Sequence, residues 1–186
     1  MRGMNTRQET LSRFCNEVGH CQINSDAYFA CANFLFYASW FEERLFSQKK
    51  GEHQSPENTK KIAAYVAGKI DLSSYDAYGN YFCNRYLNGS MPTHHFSQLQ
   101  LSSKHSKNVQ TALQDFLDTG KRDSELLWSY LMIAYRFRNN MFHGSKKLIN
   151  LNTYVEQFDL LNRFWDQLLR DIDNIGYLGF NQSPKP

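Results

Sequence analysis

Residues 124–142 read SELLWSYLMIAYRFRNNMF, and this stretch decides the fold class. Leu127, Leu131 and Ala134 recur at helical spacing, and Gly144 follows as the residue type that most often ends a helix in the left-handed conformation. Strict alternation of apolar and polar residues is nearly absent from the chain, whereas helical patterns recur along it. We therefore predict an all-α protein, a helical bundle in which this stretch is one helix, to about Phe142.

Several other segments carry the signals of helices. Ser55 is a candidate helix cap, and Pro56 after it would be the first residue of the helix. Thr153-Tyr-Val-Glu156 has the pattern of a capping box. Gly120 follows another amphipathic run as a stop signal. The predicted helices are Arg7–Val18, a long helix that starts after Asn24 or Ser25 and runs to about Phe46, Pro56 through about Ile70, Lys107–Leu117, and Thr153 through Ile172.

The 186 residues suffice for one domain with a sizeable core. The stretch 71–103 is the least regular, because five aromatic residues are crowded there between helix-breaking residues, and it predicts a short helix plus loop. We interpret this aromatic cluster as core rather than as a base-stacking surface, since aromatic side chains supply much of the buried area of proteins. The domain is expected to span 1–176, followed by a flexible tail at 177–186.

Charge and cysteine usage indicate the compartment. Lysine and arginine total 21 against 18 acidic residues, so the net charge of +3 does not by itself argue for a polyanionic partner. The N-terminal residues have no apolar run of signal-peptide length, and the uncharged, largely apolar stretch 27–41 is shorter than a membrane span. The four cysteines form no C-x-x-C pair, which is typical of reduced thiols. We expect a cytoplasmic protein without a membrane partner and without a cofactor.

Arg138 interrupts the apolar stripe of the helix predicted over 124–142. It lies seven residues after Leu131 and four after Ala134, on the face that should be buried. Burying an unpaired guanidinium costs on the order of several kcal/mol, so this side chain must meet a carboxylate, an anion or a wet subunit interface. Glu42 and Glu43, at the end of the long early helix, are candidate partners, although a solvated helix end is the simpler interpretation because exposed carboxylates are the rule.

The segment that begins at Arg138 resembles a known motif. Residues 138–143, RNNMFH, match the signature of the HEPN superfamily of helical ribonucleases and RNA-binding domains, which is an Arg, four to six residues, then a His, often with Asn directly after the Arg. The close match covers 134–145, and the order of helices fits the family more loosely over 25–175. Arg13 and His20 have a similar spacing but lack the following Asn, so we interpret that pair as coincidence.

The resemblance implies a two-fold dimer in which the Arg and His of both subunits line a shared cleft. It also implies metal-independent RNA cleavage, in which the 2′-hydroxyl attacks the adjacent phosphorus and leaves a 2′,3′-cyclic phosphate and a 5′-hydroxyl. His143 would be the general acid or base, Arg138 would stabilise the phosphorane, and Asn139 would orient either group. Arg136 is the alternative arginine, because it precedes His143 by nearly two full helical turns.

Other polar residues near the motif have less specific interpretations. Lys146 and Lys147 are candidates for a rim that tracks RNA phosphates near His143, or they simply solvate a loop. His94-His95 and His105 have no carboxylate or cysteine at ligand spacing, so we expect no metal site.

The resemblance also bears on partners. It implies RNA, a second copy of the chain and an antitoxin or regulatory protein as partners, in a toxin or phage and plasmid defence role. Ser145 stands where one branch of the family, paired with nucleotidyltransferase antitoxins, has a tyrosine. Some family members are inert scaffolds, so an alternative is a non-catalytic HEPN-like module that dimerises and binds RNA or a partner protein. A third interpretation is an unrelated bundle in which Arg138 only makes a structural salt bridge.

Overall fold

A computed structural model describes residues 24–46, 54–142 and 148–177. These residues form seven α-helices, two 3-10 turns and one hairpin of two-residue strands, which confirms the predicted all-α bundle. The helices are α1 (Ser25–Phe46), α2 (Pro56–Ala67), α3 (Asp76–Tyr86), α4 (His94–Ser97), α5 (Ser103–Thr119), α6 (Ser124–Phe142) and α7 (Val155–Asn174). The turns are Leu72–Tyr75 and Leu148–Tyr154, and the hairpin pairs β1 (Leu87–Asn88) with β2 (Met91–Pro92).

The capping signals predict two of the helix ends correctly and one incorrectly. The hydroxyl of Ser55 accepts a hydrogen bond from the backbone N–H of Asn58 at 3.2 Å, and α2 starts directly after Ser55. Gly120 ends α5 in the left-handed conformation, with a φ of 67°. The helix start predicted from the capping box at Thr153 is wrong, because the cap residue of α7 is Tyr154, whose side chain makes no capping hydrogen bond. The 3-10 turn Leu148–Tyr154 runs directly into α7.

Two predicted segments fall at the ends of the chain. The predicted helix Arg7–Val18 and residues 178–186 of the predicted tail lie outside the described residues. Tyr177 was predicted to begin the tail, but it is buried against Tyr65, and the two ring centroids are 4.5 Å apart. The folded part of the chain therefore includes Tyr177.

Helices α1 and α7 pack side by side and run parallel. Near one end, the Asn162 amide donates to the backbone oxygen of Ala30 at 3.0 Å, and near the other, Arg44 pairs with Asp173 at 3.2 Å. Since both residue numbers rise together, the two helices point the same way.

Helix α6 packs against α2 and α5. The indole N–H of Trp128 donates to the backbone oxygen of Pro56 at 3.1 Å, and Glu125 pairs with Lys60 at 2.7 Å, so α2 and α6 run antiparallel. Helix α5 precedes α6 through the turn at Gly120, and the two form a helical hairpin. Helix α6 is thus central in the bundle.

Phenylalanine side chains join α1, α6 and α7 at the centre of the core. The ring centroid of Phe137 lies 5.6 Å from that of Phe34 and 5.3 Å from that of Phe158, and all three side chains are buried. Because Phe137 directly precedes Arg138, this cluster fixes the position of the motif residues relative to α1.

Helix α1 is the longest described helix, with 22 residues. Ala27, Phe34 and Phe41, spaced seven apart, lie on its buried side. Neither α1 nor any other helix in the described part of the chain is long and apolar enough to cross a membrane.

The insertion 71–103 is less regular than the rest of the bundle, as predicted. It holds a 3-10 turn, α3, the short hairpin and the four-residue helix α4. Its aromatic residues belong to the core, and the buried ones are Tyr75, Tyr78, Phe82, Tyr86 and Phe96. The hairpin was not predicted, because strands of two residues are too short to show an alternating pattern.

Gly79 lets α3 pack closely against α5 and α6. A β-carbon at this position would lie 2.8 Å from the ring of Phe116 and would also clash with the hydroxyl of Tyr130. Gly79→Ala is therefore expected to lower the free energy of unfolding by about 1–2 kcal/mol, because overpacking outweighs the gain in helix propensity. Urea denaturation measures the change, and Gly68→Ala, whose β-carbon would meet its nearest atom at 3.7 Å, is the control. A Gly79→Ala protein as stable as the wild type would contradict this packing.

Cys31 and Cys83 are buried thiols. Burial raises the pKa of the Cys31 thiol to about 11 and that of Cys83 to about 12. Since a raised pKa keeps the thiol protonated, iodoacetamide at mildly alkaline pH should alkylate both cysteines at least ~100-fold more slowly in the native protein than in urea. Peptide mass spectrometry of timed reactions measures this ratio, and equal rates in the two states would show that these thiols are accessible.

Candidate active site

Arg138 lies near the C-terminal end of α6 and reaches an acidic residue of α1. Its Nη2 donates to Oε2 of Glu42 at 2.8 Å, and its Nη1 donates to Oδ1 of Asn139 at 3.4 Å. The side chain is 23% exposed, so it touches both the core and solvent. Glu42 therefore supplies a carboxylate partner for Arg138 in the apolar stripe.

Glu42 and Glu43 have different surroundings although they are neighbours in sequence. Glu42 is half-buried in its pair with Arg138, whereas Glu43 is exposed on the outer side of α1. Adjacent helical residues point about 100° apart, so only one of the two faces α6. The interpretation of these residues as a solvated helix end is thus wrong for Glu42.

Arg136 and Asn140 hold a loop on the other flank of α6. The Nε of Arg136 donates to the backbone oxygen of Leu99 at 2.9 Å, and the amide of Asn140 donates to the backbone oxygen of Gln98 at 2.8 Å. Both residues lie about 160° around the helix from Arg138. The two arginines therefore have different contacts, and Arg136 has a structural one. Asn140 was not predicted from the sequence, although it lies one turn after Arg136 on the same flank of the helix.

The core positions Arg138 through its neighbour Phe137. Phe137 packs against Phe34 of α1, and α1 also carries Glu42 two turns later. The register of α1 against α6 therefore also sets the distance between the Arg138 guanidinium and the Glu42 carboxylate.

The remaining predicted site residues follow α6 in the chain. His143, Lys146 and Lys147 lie outside the described residues, as does Ser145. The described site consists of Arg138, with Glu42 and Asn139 as its partners.

The arrangement suits the binding of an anion. A guanidinium carries five N–H donors in a planar fork, so one arginine can contact a carboxylate and a phosphate together. Glu42 holds the side chain of Arg138 in one position, and a donor fixed in advance stabilises developing charge better than a mobile one.

An open groove of about 920 Å³ between α1 and α7 is a separate feature. Three carboxylates line it, those of Glu156, Asp159 and Asp166, against the single guanidinium of Arg163. Acidic side chains repel the phosphate backbone of RNA, and neither Arg138 nor Glu42 lines the groove. The Arg138 pair is thus the better candidate for a phosphate site.

The histidines of the insertion, His94 and His95, both contact the side chain of Gln98. Gln98 lies 3.0 Å from the ring Nε2 of His94 and 3.5 Å from Nδ1 of His95. Among the residues that the structure describes, no group of three or more His, Cys, Asp or Glu side chains is placed to hold a metal ion.

Comparisons of the chain with protein-family models, with curated proteins and with solved structures give no match.

Proposed function

We propose that the protein is a HEPN-type endoribonuclease that cleaves RNA without a metal ion and acts as a homodimer. Arg138 is the phosphate stabiliser, His143 the general acid or base, and Asn139 the orienting group. The observation that supports the proposal is the placement of Arg138, a mostly buried guanidinium in an apolar stripe, paired with Glu42 and beside Asn139. His143 follows it five residues later, as the family motif requires.

The proposed reaction needs a proton acceptor, a proton donor and a stabilised phosphorane. The 2′-oxygen of the substrate loses its proton and bonds to phosphorus, and the bond from phosphorus to the 5′-oxygen breaks as that oxygen gains a proton. An imidazole titrates near neutral pH and suits either transfer. The guanidinium of Arg138 offsets the negative charge on the phosphorane oxygens.

A non-catalytic HEPN-like module that dimerises and binds RNA or a partner protein is the second candidate. The observation that favours it is the same ion pair, since Arg138 and Glu42 at 2.8 Å also have the geometry of a structural salt bridge. In either case we infer a cytoplasmic protein, and an antitoxin or other regulatory protein as a partner.

The substrate requirement distinguishes the candidates. An RNA and a DNA oligonucleotide of one sequence are incubated with the protein in EDTA, and the products are separated on denaturing gels. We expect cleavage of the RNA only, because DNA lacks the attacking 2′-hydroxyl. Cleavage of both strands would contradict the proposed chemistry, and RNA that is bound but never cut would favour the non-catalytic module.

A further inference from the structure

Helix α1 carries an exposed aromatic face. We define the aromatic face as Phe29, Ala32, Phe36, Ser39 and Trp40, which lie on the side of α1 opposite its buried residues. Phe36 is 66% exposed, Phe29 50% and Trp40 42%, so no described part of the chain covers them. Single exposed apolar residues are normal, but a contiguous set on one helix marks an interaction surface.

The composition of the aromatic face is that of an interface core. Helix α1 has no charged residue from 27 to 41, although the chain as a whole is 21% charged. The centres of protein interfaces are depleted in charge and enriched in Phe, Tyr and Trp.

We propose that a second copy of this chain covers the aromatic face, with the two α1 helices antiparallel about a two-fold axis near residue 34. Large and small residues alternate along the centre of the face, in the order Phe29, Ala32, Phe36 and Ser39. In the antiparallel pair Phe36 meets Ala32 of the second copy, and Phe29 meets Ser39. Symmetry repeats both contacts, so a large side chain meets a small one in every layer. A parallel pair would instead stack Phe36 on Phe36 and leave a void between the two Ala32 residues.

The charges at the ends of α1 favour the same direction. In the antiparallel pair, Glu43 of one copy lies beside Ser25, at the N-terminus of α1 in the other, where the helix dipole favours a carboxylate. In a parallel pair Glu43 would meet Glu43, and Asp26 would meet Asp26, which is repulsive.

The exposed area fits a dimer of modest affinity. Phe29, Phe36 and Trp40, with Tyr28 beside them, expose on the order of 400 Å² per copy at these fractions. A standard interface buries roughly 800 Å² per partner, so flanking residues must supply the remainder. We therefore expect a micromolar dissociation constant rather than a nanomolar one.

The pairing goes beyond the proposed function, and its relevance to RNA rests on that function. Glu42 lies eight residues from the axis. The Arg138–Glu42 ion pairs of the two copies are therefore about 24 Å apart along the helices. They face the same side of the dimer, because the two-fold axis of an antiparallel pair is perpendicular to the plane of the two helices. This arrangement gives two sites on one surface, in contrast to the single shared cleft that the family resemblance implies.

An exchange of the large and small residues tests the pairing. Ala32→Phe and Phe36→Ala are each expected to weaken the dimer at least about tenfold, by crowding and by a void respectively, and the A32F/F36A double variant should regain most of the loss. Sedimentation velocity measures the dissociation constants, and thermal melting shows that each variant folds. Leu117→Ala, at a 45% exposed apolar position on α5, is the control and should leave the dimer unchanged.

Three results would overturn the proposal. They are a dimer that neither single variant weakens, a double variant no better than the worse single one, and a monomer at every concentration. Acrylamide quenching adds an independent readout, because Trp128 and Trp165 are buried and Trp40 is the exposed tryptophan. Dimerisation should protect Trp40, whereas protection in a monomer would show that another part of the chain covers the face. None of these measurements uses RNA, so their failure is distinct from a failure of the ribonuclease proposal.

Discussion

Arg138→Ala is expected to lower the rate of RNA cleavage by at least about 100-fold, because the phosphorane loses its fixed cationic donor. The variant should remain folded, since Arg138 and Glu42 are both partly exposed and water can solvate the remaining carboxylate. Single-turnover cleavage of a labelled RNA measures the chemical step, and far-UV circular dichroism reports the fold. Cleavage at the wild-type rate would exclude Arg138 as the phosphate stabiliser.

His143→Ala is the companion variant, and the family motif predicts a loss of about 100-fold or more from the missing proton transfer. Because both groups act in one transition state, the double variant should be little worse than the poorer single one. Arg136→Ala is the matched control. It removes the hydrogen bond to the Leu99 backbone, so it should cost about 1 kcal/mol of stability while the folded enzyme still cleaves RNA. The reverse result, with Arg136 essential and Arg138 dispensable, would move the site to the other flank of α6.

Phe137→Ala is expected to destabilise the fold by about 3–5 kcal/mol, because it removes a fully buried ring that contacts α1 and α7. The loss would also release the C-terminal half of α6 from α1, so Arg138 and Glu42 would no longer be held together. Urea unfolding measures the change, and cleavage assays below the unfolding midpoint measure the effect on the site.

Phe36→Ala is the matched control for this substitution. It removes the same side chain from an exposed position of α1, so the unfolding free energy, measured where the chain is monomeric, should change by less than about 0.5 kcal/mol. Similar losses for Phe36→Ala and Phe137→Ala would show that Phe137 is not part of the central core.

The helices were predictable where local signals decide their ends. Ser55 before Pro56 and Gly120 after an amphipathic run act on the adjacent backbone, and the structure confirms both. The capping box at Thr153 does not mark the start of α7, because a 3-10 turn occupies Leu148–Tyr154 and the helix begins at Val155.

The site was predictable only in part, for a similar reason. The position of Arg138 in an apolar stripe shows that it needs a partner, since an unpaired buried charge is costly. The choice between Glu42 and Glu43 depends on how α1 is rotated against α6, which the core packing around Phe34 and Phe137 determines. The contact of Arg136 with Leu99 depends on the path of a loop 37 residues away in sequence, and no local pattern encodes it.

The end groups of cleaved RNA test the proposed chemistry most directly. RNA is incubated in EDTA with the wild-type protein and with Arg138→Ala, and the termini of the products are identified by mass spectrometry. Attack by the 2′-hydroxyl predicts 2′,3′-cyclic phosphate and 5′-hydroxyl ends that accumulate with the wild-type protein and not with the variant. Products with 5′-phosphate ends, or cyclic phosphates formed equally by both proteins, would contradict a ribonuclease site at Arg138.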